Sequence, residues 1–434
     1  MKKILTSTGL VALSAASLQA AYAPGMGPMD TSKPWSISAA LRGFYDDNYA
    51  TAPNNPPPGT PGPRDSWGFE LNPSASVNLP MDQTFFSASA SYSMKYYDDR
   101  PTHKADHSVI LSAKLDHAFS ERFKMELSDQ FIIAQEPQLI NPTGIIAGPP
   151  LRTEGNNIHN IGMASLDAQL TRELAVEFIY SNNYYDYDQS GLGSHSALLD
   201  RMEHLASINL RWTLQPQTVG IVGYQFGAVD YSSNDGLFFD PTSPFAPTAG
   251  PNFGIVPSNI RDNYSHYFYA GVDHNFNQQL NGSVRVGAQY TDYHEQNSNT
   301  LSPYVDANVT YTYNPGSYVQ AGFRHQRVQT DVAGAAGAGL TLDAEASSIY
   351  ASLNHKITGN LTGSILGQYQ HSTFRGGAAD SLSDDFFIVG LNVTYKINPW
   401  ISTEAGYNFD RLKSDLGGRT YDRNRIYVGV RATY

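Results

Sequence analysis

The chain has 434 residues, 41% of them hydrophobic, yet its mean hydropathy is −0.37. Beyond the N-terminus it holds no apolar run of about 18 residues, which excludes helical membrane spans. A net charge of −12 and a pI near 5.4 disfavour nucleic acid as a partner. The absence of cysteine excludes disulfides, thiolate metal sites, cysteine nucleophiles and a lipid anchor on cysteine.

The N-terminus reads as an export signal. A basic "MKK" is followed by the moderately apolar "ILTSTGLVALSAASLQA" and then by small residues. Cleavage after Ala23 would leave Pro24 first, which hinders the peptidase; cleavage after Ala20 avoids it and is the preferred site. The expected division is a signal peptide at 1–20, a periplasmic lead at 21–34 and one β-barrel at 35–434, with no segment left for a plug or a second domain.

From Trp35 onward apolar and polar residues alternate along segments of strand length. In "FFIVGLNVTYKI", Phe387, Val389, Leu391, Val393, Tyr395 and Ile397 share one face. Ile388, Gly390, Asn392, Thr394 and Lys396 share the other, which suits water better than a packed core. Tight turns are expected at Leu79–Gln83, Phe119–Phe123, Leu170–Leu174, Leu214–Thr218, Phe276–Leu280, Tyr313–Ser317, Ile357–Leu361 and Ile397–Ile401. Roughly 40 to 60 residues separate successive turns, enough for two strands and a longer loop. The longer loops are rich in Pro and Gly, as at Thr51–Asp65, Glu136–Asn157 and Ser232–Asn259. Short turns at one end and long loops at the other describe an all-β, antiparallel, up-and-down transmembrane barrel.

The expected strands start at 35, 67, 84, 106, 122, 158, 174, 200, 218, 261, 281, 302, 317, 345, 361, 384, 401 and 421. That makes about 18, an even number that leaves both termini in the periplasm. Sixteen would follow if the first hairpin or the Trp212–Tyr231 region were misread. A soluble sandwich, propeller or β-helix is the alternative; a propeller would show four short strands per repeat where two long ones are seen.

Strand parity turns charges of both signs inward. Candidates for the lumen wall are Arg42, Glu70, Lys95, Lys114 and Asp116 in the first strands, then Lys124 and Glu126. Further along come Arg211, Arg285, Asp306 and Arg324, and finally Lys396, Glu404 and Arg431. Opposite charges on neighbouring strands should pair, as in Lys396, Glu404 and Arg431. So many charges require water inside. The acidic, tyrosine-rich strand ends at Tyr45–Tyr49, Tyr96–Arg100, Tyr184–Asp188 and Tyr290–Glu295 are expected to form an upper aromatic girdle, with aspartates just above it. Of the apolar loops Glu136–Asn157 and Ser232–Asn259, one is expected to fold into the lumen or to lie over the rim as a lid.

Catalytic patterns are weak throughout. "SGLGS" (Ser190–Ser194) lacks the central serine of a nucleophile elbow. The twelve histidines are scattered, without metal-ligand spacing. No helix and no phosphate-binding glycine loop is expected, and neither a cofactor nor a metal. The chain reads as a non-enzyme.

The opening "SISAALRGFYDDNYAT" and the ending "GRTYDRNRIYVGVRATY" resemble a family of outer-membrane barrels, the "putative β-barrel porin 2" group, over about Trp35 to Tyr434. The resemblance implies a bacterial outer-membrane barrel, monomeric or trimeric; a homo-oligomer is among the expected assemblies. It transfers no site residues, and some members are associated with exopolysaccharide export. The expected function is a porin-like channel for passive diffusion of small hydrophilic solutes. The alternative is an outer-membrane component of exopolysaccharide export or surface assembly. Expected partners are outer-membrane lipids, the solutes and the barrel assembly machinery. That machinery would read the terminal Tyr434 behind outward Ile426, Val428, Val430 and Ala432.

Overall fold

A computed structural model describes residues 33–135, 157–335 and 337–434. The wall begins with β1 (Trp35–Asp46), β2 (Ser66–Pro80), β3 (Thr84–Tyr97), β4 (Ala105–Ala118) and β5 (Phe123–Ala134). It continues with β6 (Asn157–Gln169), β7 (Leu174–Tyr187), β8 (Arg201–Gln215) and β9 (Thr218–Tyr231), with a one-turn helix α1 (His195–Leu199) before β8. A separate two-stranded ribbon follows, β10 (Gly236–Phe239) with β11 (Ile255–Pro257). The wall resumes with β12 (Asn263–Asn275), β13 (Leu280–Tyr293), β14 (Ser298–Asn314), β15 (Ser317–Val328) and β16 (Asp343–Lys356). It ends with β17 (Leu361–Arg375), β18 (Ser383–Lys396), β19 (Ile401–Ser414) and β20 (Tyr421–Thr433).

Each of these 18 wall strands pairs antiparallel with its sequence neighbours, and β20 closes on β1 with Ser38 opposite Thr433 and Asp46 opposite Arg425. A closed barrel leaves no edge, so backbone groups along the paired spans are met within the wall. The predicted strand starts match closely; the largest offset is at β14, expected from 302 and found from Ser298. Pro303 made the early part of β14 look like loop. It is tolerated there because β15 pairs with β14 only from Val305 onward, leaving that flank free of a ladder partner.

All eight tight turns form where expected, and the sequence shows why. In five of them a Ser, Thr or Asn follows the last apolar residue and its side chain accepts the backbone N–H groups two and three residues on. Ser120 accepts from Arg122 and Phe123 (3.2 and 3.2 Å), Thr171 from Glu173 and Leu174 (3.2 and 3.0 Å), and Asn277 from Gln279 and Leu280 (2.8 and 2.9 Å). Thr358 and Asn398 repeat the arrangement. The side chain replaces ladder partners that a four-residue reversal cannot supply.

One face of the wall is apolar and exposed: Ile37 and Leu41 on β1, Val222 on β9, Val286 on β13, Ile349 on β16, Val428 on β20. At the tight-turn end, outward histidines sit edge-on to phenylalanines, His117 to Phe119 and His274 to Phe276 (centroids 4.5 Å in both). His117 and His274 also bond the Thr84 and Thr218 hydroxyls at 2.8 Å. Amphipathic rings at this level suit a membrane interface. The seam is sealed there by Tyr434, stacked on Trp400 and tilted against Trp35 (5.3 Å each), with backbone bonds to Ile37.

Three expectations need correction. The tyrosine-rich strand ends are not all girdle: neighbours point to opposite faces, so Tyr96 and Tyr184 face out while Tyr97 and Tyr185 are buried inside. Asp46 is not a solvated rim residue but lies fully buried on the inner face against Arg423, 2.6 Å away. A helix does form: Ser194, the last residue of "SGLGS", caps α1 by accepting from the Ala197 N–H.

Candidate functional site: a charged inner wall under a loop cap

Strand register places all fourteen charged candidates on the face opposite the apolar belt, and ion pairs join most of them into runs. On β7 to β15, Arg211 lies 3.6 Å from Glu177 and 3.1 Å from Asp273, and Arg285 lies 2.8 Å from the same Asp273. Asp306 stands in register between Arg285 and Arg324 and pairs with the latter. Across the seam, Arg42 bridges Glu70 (3.1 Å) and Glu404, and Arg431 reaches Glu404 at 3.5 Å. Lys95 stands opposite Glu70 on β3. On β4 and β5, Lys114 meets Asp116 at 3.4 Å and Glu126 at 3.2 Å. Lys124 and Lys396 are exposed near tight turns. Lys396 does not join Glu404 and Arg431 as expected: it is the last residue of β18 and opposes Ser402, two positions short of Glu404. Arg42 from the far side of the seam takes that place.

Alternating signs satisfy each charge next door, so the wall carries many ions at little desolvation cost. Exposure is unevenly distributed around it. Upper inward positions of β16 to β20 are buried, with Tyr350, Leu366, Phe386, Ile388, Leu412 and Tyr421 forming one apolar cluster. Part of the inner face is therefore greasy, with Ile388, already on the inward face by parity, at its centre. On β3 to β6, by contrast, nearly every inward residue below the loop end stays half-exposed. Lys114, Asp116, Glu126 and Asp167 lie there among serines. In one row Ser36, Ser76, Ser89, Ser112 and Gln130 stand side by side on β1 to β5. Ser36 and Ser76 bond at 2.8 Å and Gln130 donates to Ser112 at 3.3 Å. The charge pattern does not point to this hydroxyl wall, although the period-two serines of "SASASYS" announce it.

At the long-loop end the connections pack on one another. Leu237 and Val256 of the ribbon join Ala246, Ile260, Ala333 and Leu340 in a buried cluster, with Leu198 of α1 against it. The Ser232–Asn259 loop thus docks on its neighbouring loops as part of a cap. Glu136–Asn157, the other candidate, lies outside the described residues except for Asn157. Arg261 fastens the cap: it stacks on Tyr231 (4.2 Å) and donates to the Thr330 carbonyl (3.2 Å) and the Leu198 carbonyl (2.5 Å). Arg419 ties loop 415–420 to Asp331 and Asp384, both at 2.9 Å. The Asp240 carboxyl accepts from Thr242 and from the Gly337 N–H, which hold it below the usual carboxylate range. Burial pushes the Asp200 and Asp262 carboxyls up to about 6. Among the described residues no group of His, Asp and Glu has the arrangement of a metal site.

A family model described as "Putative beta-barrel porin 2" matches residues 341–434, the last five strands. No curated protein matches the chain. Among solved structures, the outer membrane protein opdK from Pseudomonas aeruginosa is 12% identical, covering 92% of this chain and 99% of its own, with a TM-score of 0.41. A BenF-like porin from Pseudomonas fluorescens Pf-5 is 10% identical over 93% of this chain and 99% of its own, with a TM-score of 0.45. The siderophore receptor PirA from Pseudomonas aeruginosa is 10% identical over 92% of this chain and 80% of its own, with a TM-score of 0.38. The barrel itself rests on its own closed register.

Proposed function

We propose that the chain is a porin-like channel of the bacterial outer membrane through which small hydrophilic solutes diffuse passively. The observation that carries this reading is the half-exposed β3–β6 inner wall, lined by serines and by the Lys114 cluster, inside a closed barrel with an apolar outer belt. A polar wall keeps water in the lumen and exchanges hydrogen bonds with a passing solute at little net cost, so no cofactor or energy input is required. The packed β16–β20 side and the loop cap narrow the passage toward β3–β6.

Export by a signal at 1–20, a periplasmic lead at 21–34 and a single barrel from 35 onward complete the reading. Tyr434, placed at the seam, is its proposed address for the assembly machinery. Purified protein in a planar bilayer is expected to give ohmic conductance steps. Silent membranes from folded, heat-modifiable protein would overturn the channel reading. Deleting 136–157 is expected to raise the conductance; an unchanged value would remove that loop from the constriction.

A further inference from the structure

Among the described residues, the outer belt is interrupted by one carboxylate. Asp129 on β5 points outward, with Met125 and Leu127 before it and Phe131 and Ile133 after it on the same face. Its depth follows from register. The row that begins at Trp35, at the tight-turn end of β1, climbs across eleven strands to Asp292 at the long-loop end of β13. Asp129 stands on the fifth strand of that row, between Ala113 and Gly162, near mid-height of the belt. Among the described strands it is the one outward carboxylate with apolar outward residues both above and below. Continuing up the row, Gly162 is followed by Asn182 and His204.

A carboxylate facing hydrocarbon is destabilising, most of all at mid-belt. Its side-chain partner among the described residues is Asn160, whose amide reaches both oxygens at 3.2 Å. The carboxylate leans over Gly162, where an added Cβ would sit 3.6 Å from Oδ2. Beside it Ala113 and Ala164 keep the surface low. Asn182 and the Tyr180 hydroxyl bond to His204 (3.2 and 2.8 Å), which completes a polar stripe over β5 to β8. The stripe carries an acceptor at one end and amide, hydroxyl and imidazole groups toward the other.

We propose that this stripe is an interface in the membrane, and that its occupant is a second copy of this chain. A two-fold axis along the membrane normal reverses the left-to-right order of strands, so the Asp129 end of one copy faces the Asn182 and Tyr180 side of the other. The stripe is self-complementary in hydrogen bonding, and its small residues let two walls approach closely. Docking removes Asp129 from lipid and supplies the donors it lacks. The inference rests on the membrane-spanning reading of the wall.

The chain has no cysteine, so single cysteines report contacts cleanly. Ala164→Cys lies beside the stripe, and Val389→Cys lies on the outward face of β18. Each variant is reconstituted in phosphatidylcholine vesicles and treated with a short bis-maleimide. Ala164→Cys is expected to cross-link to a dimer and Val389→Cys to stay monomeric. Adding Asp129→Leu or Asn182→Leu to Ala164→Cys is expected to cut the dimer yield about tenfold. Equal cross-linking at the two positions, or a yield that neither substitution changes, would overturn the proposal. Heat-modifiable migration checks folding of every variant. Protein that folds in detergent but fails to enter vesicles would count against the membrane reading rather than the interface.

Discussion

Arg42 offers the most direct test of what holds the seam. It is fully buried on β1 and holds two carboxylates from separate strands, Glu70 at 3.1 Å and Glu404, whose side chains are only 10% and 4% exposed. Replacing it by Met preserves much of the volume but strands both acids. Losing one member of a buried ion pair costs about 3–5 kcal/mol. Here Arg431 remains 3.5 Å from Glu404, and Ser93 still donates to Glu70 at 2.6 Å. The expected loss therefore lies at the lower end, about 3 kcal/mol, or roughly two powers of ten in the unfolding equilibrium. Urea unfolding in lipid vesicles, followed by tryptophan fluorescence and by heat-modifiable migration, measures it. The triple variant Arg42→Met, Glu70→Gln, Glu404→Gln should recover most of the loss, because the stranded charges are gone. A cost below about 1 kcal/mol for Arg42→Met, or no recovery in the triple variant, would refute the claim that buried charge rather than packing sets the penalty.

Deleting Tyr434 removes the ring that closes against Trp400 and Trp35, and should slow insertion in cells while leaving single-channel conductance of the inserted protein unchanged; normal assembly would count against its role as an address. Lys114→Glu would set three acids together with Asp116 and Glu126, and should move the reversal potential in a salt gradient toward cation preference. No movement would take β4 out of the ion path. The cap should also respond to pH. Asp200 and Asp262 are raised from 3.8 to about 6, so the closed cap binds more protons than the opened one between those values. Its stability therefore falls as pH rises from 3.8 to about 6 and levels off above. Hydrogen exchange of residues 195–200, corrected for intrinsic rates, should show that slope, and Asp200→Asn with Asp262→Asn should flatten it. A slope unchanged in the double variant would assign it elsewhere.

What could be read from the chain divides by the range of the forces involved. Strands and turns were legible because their causes are local: a period of two, and a capping Ser, Thr or Asn between apolar residues such as Phe119 and Phe123 or Ile397 and Ile401. Parity alone also assigned the face of each charge, since a residue's side of the wall is settled within its own strand. Pairing was not legible. Arg42 and Glu404 are 362 positions apart and meet only because closing the seam sets both opposite Gly429, which has no side chain to separate them, so Lys396, closer in sequence, is not the partner. The loops failed for a different reason. Leu237, Val256, Ala333 and Leu340 follow no period, and apolar residues without one show that something must be buried but not against what. Asp129 combines the two cases. Parity puts it outside with certainty equal to any other residue on β5, and only the row from Trp35 to Asp292 shows how deep in the belt it stands. An outward carboxylate at a strand end would be an ordinary rim residue. The same residue at mid-belt needs a partner, and the register that closes the barrel is what separates these two situations.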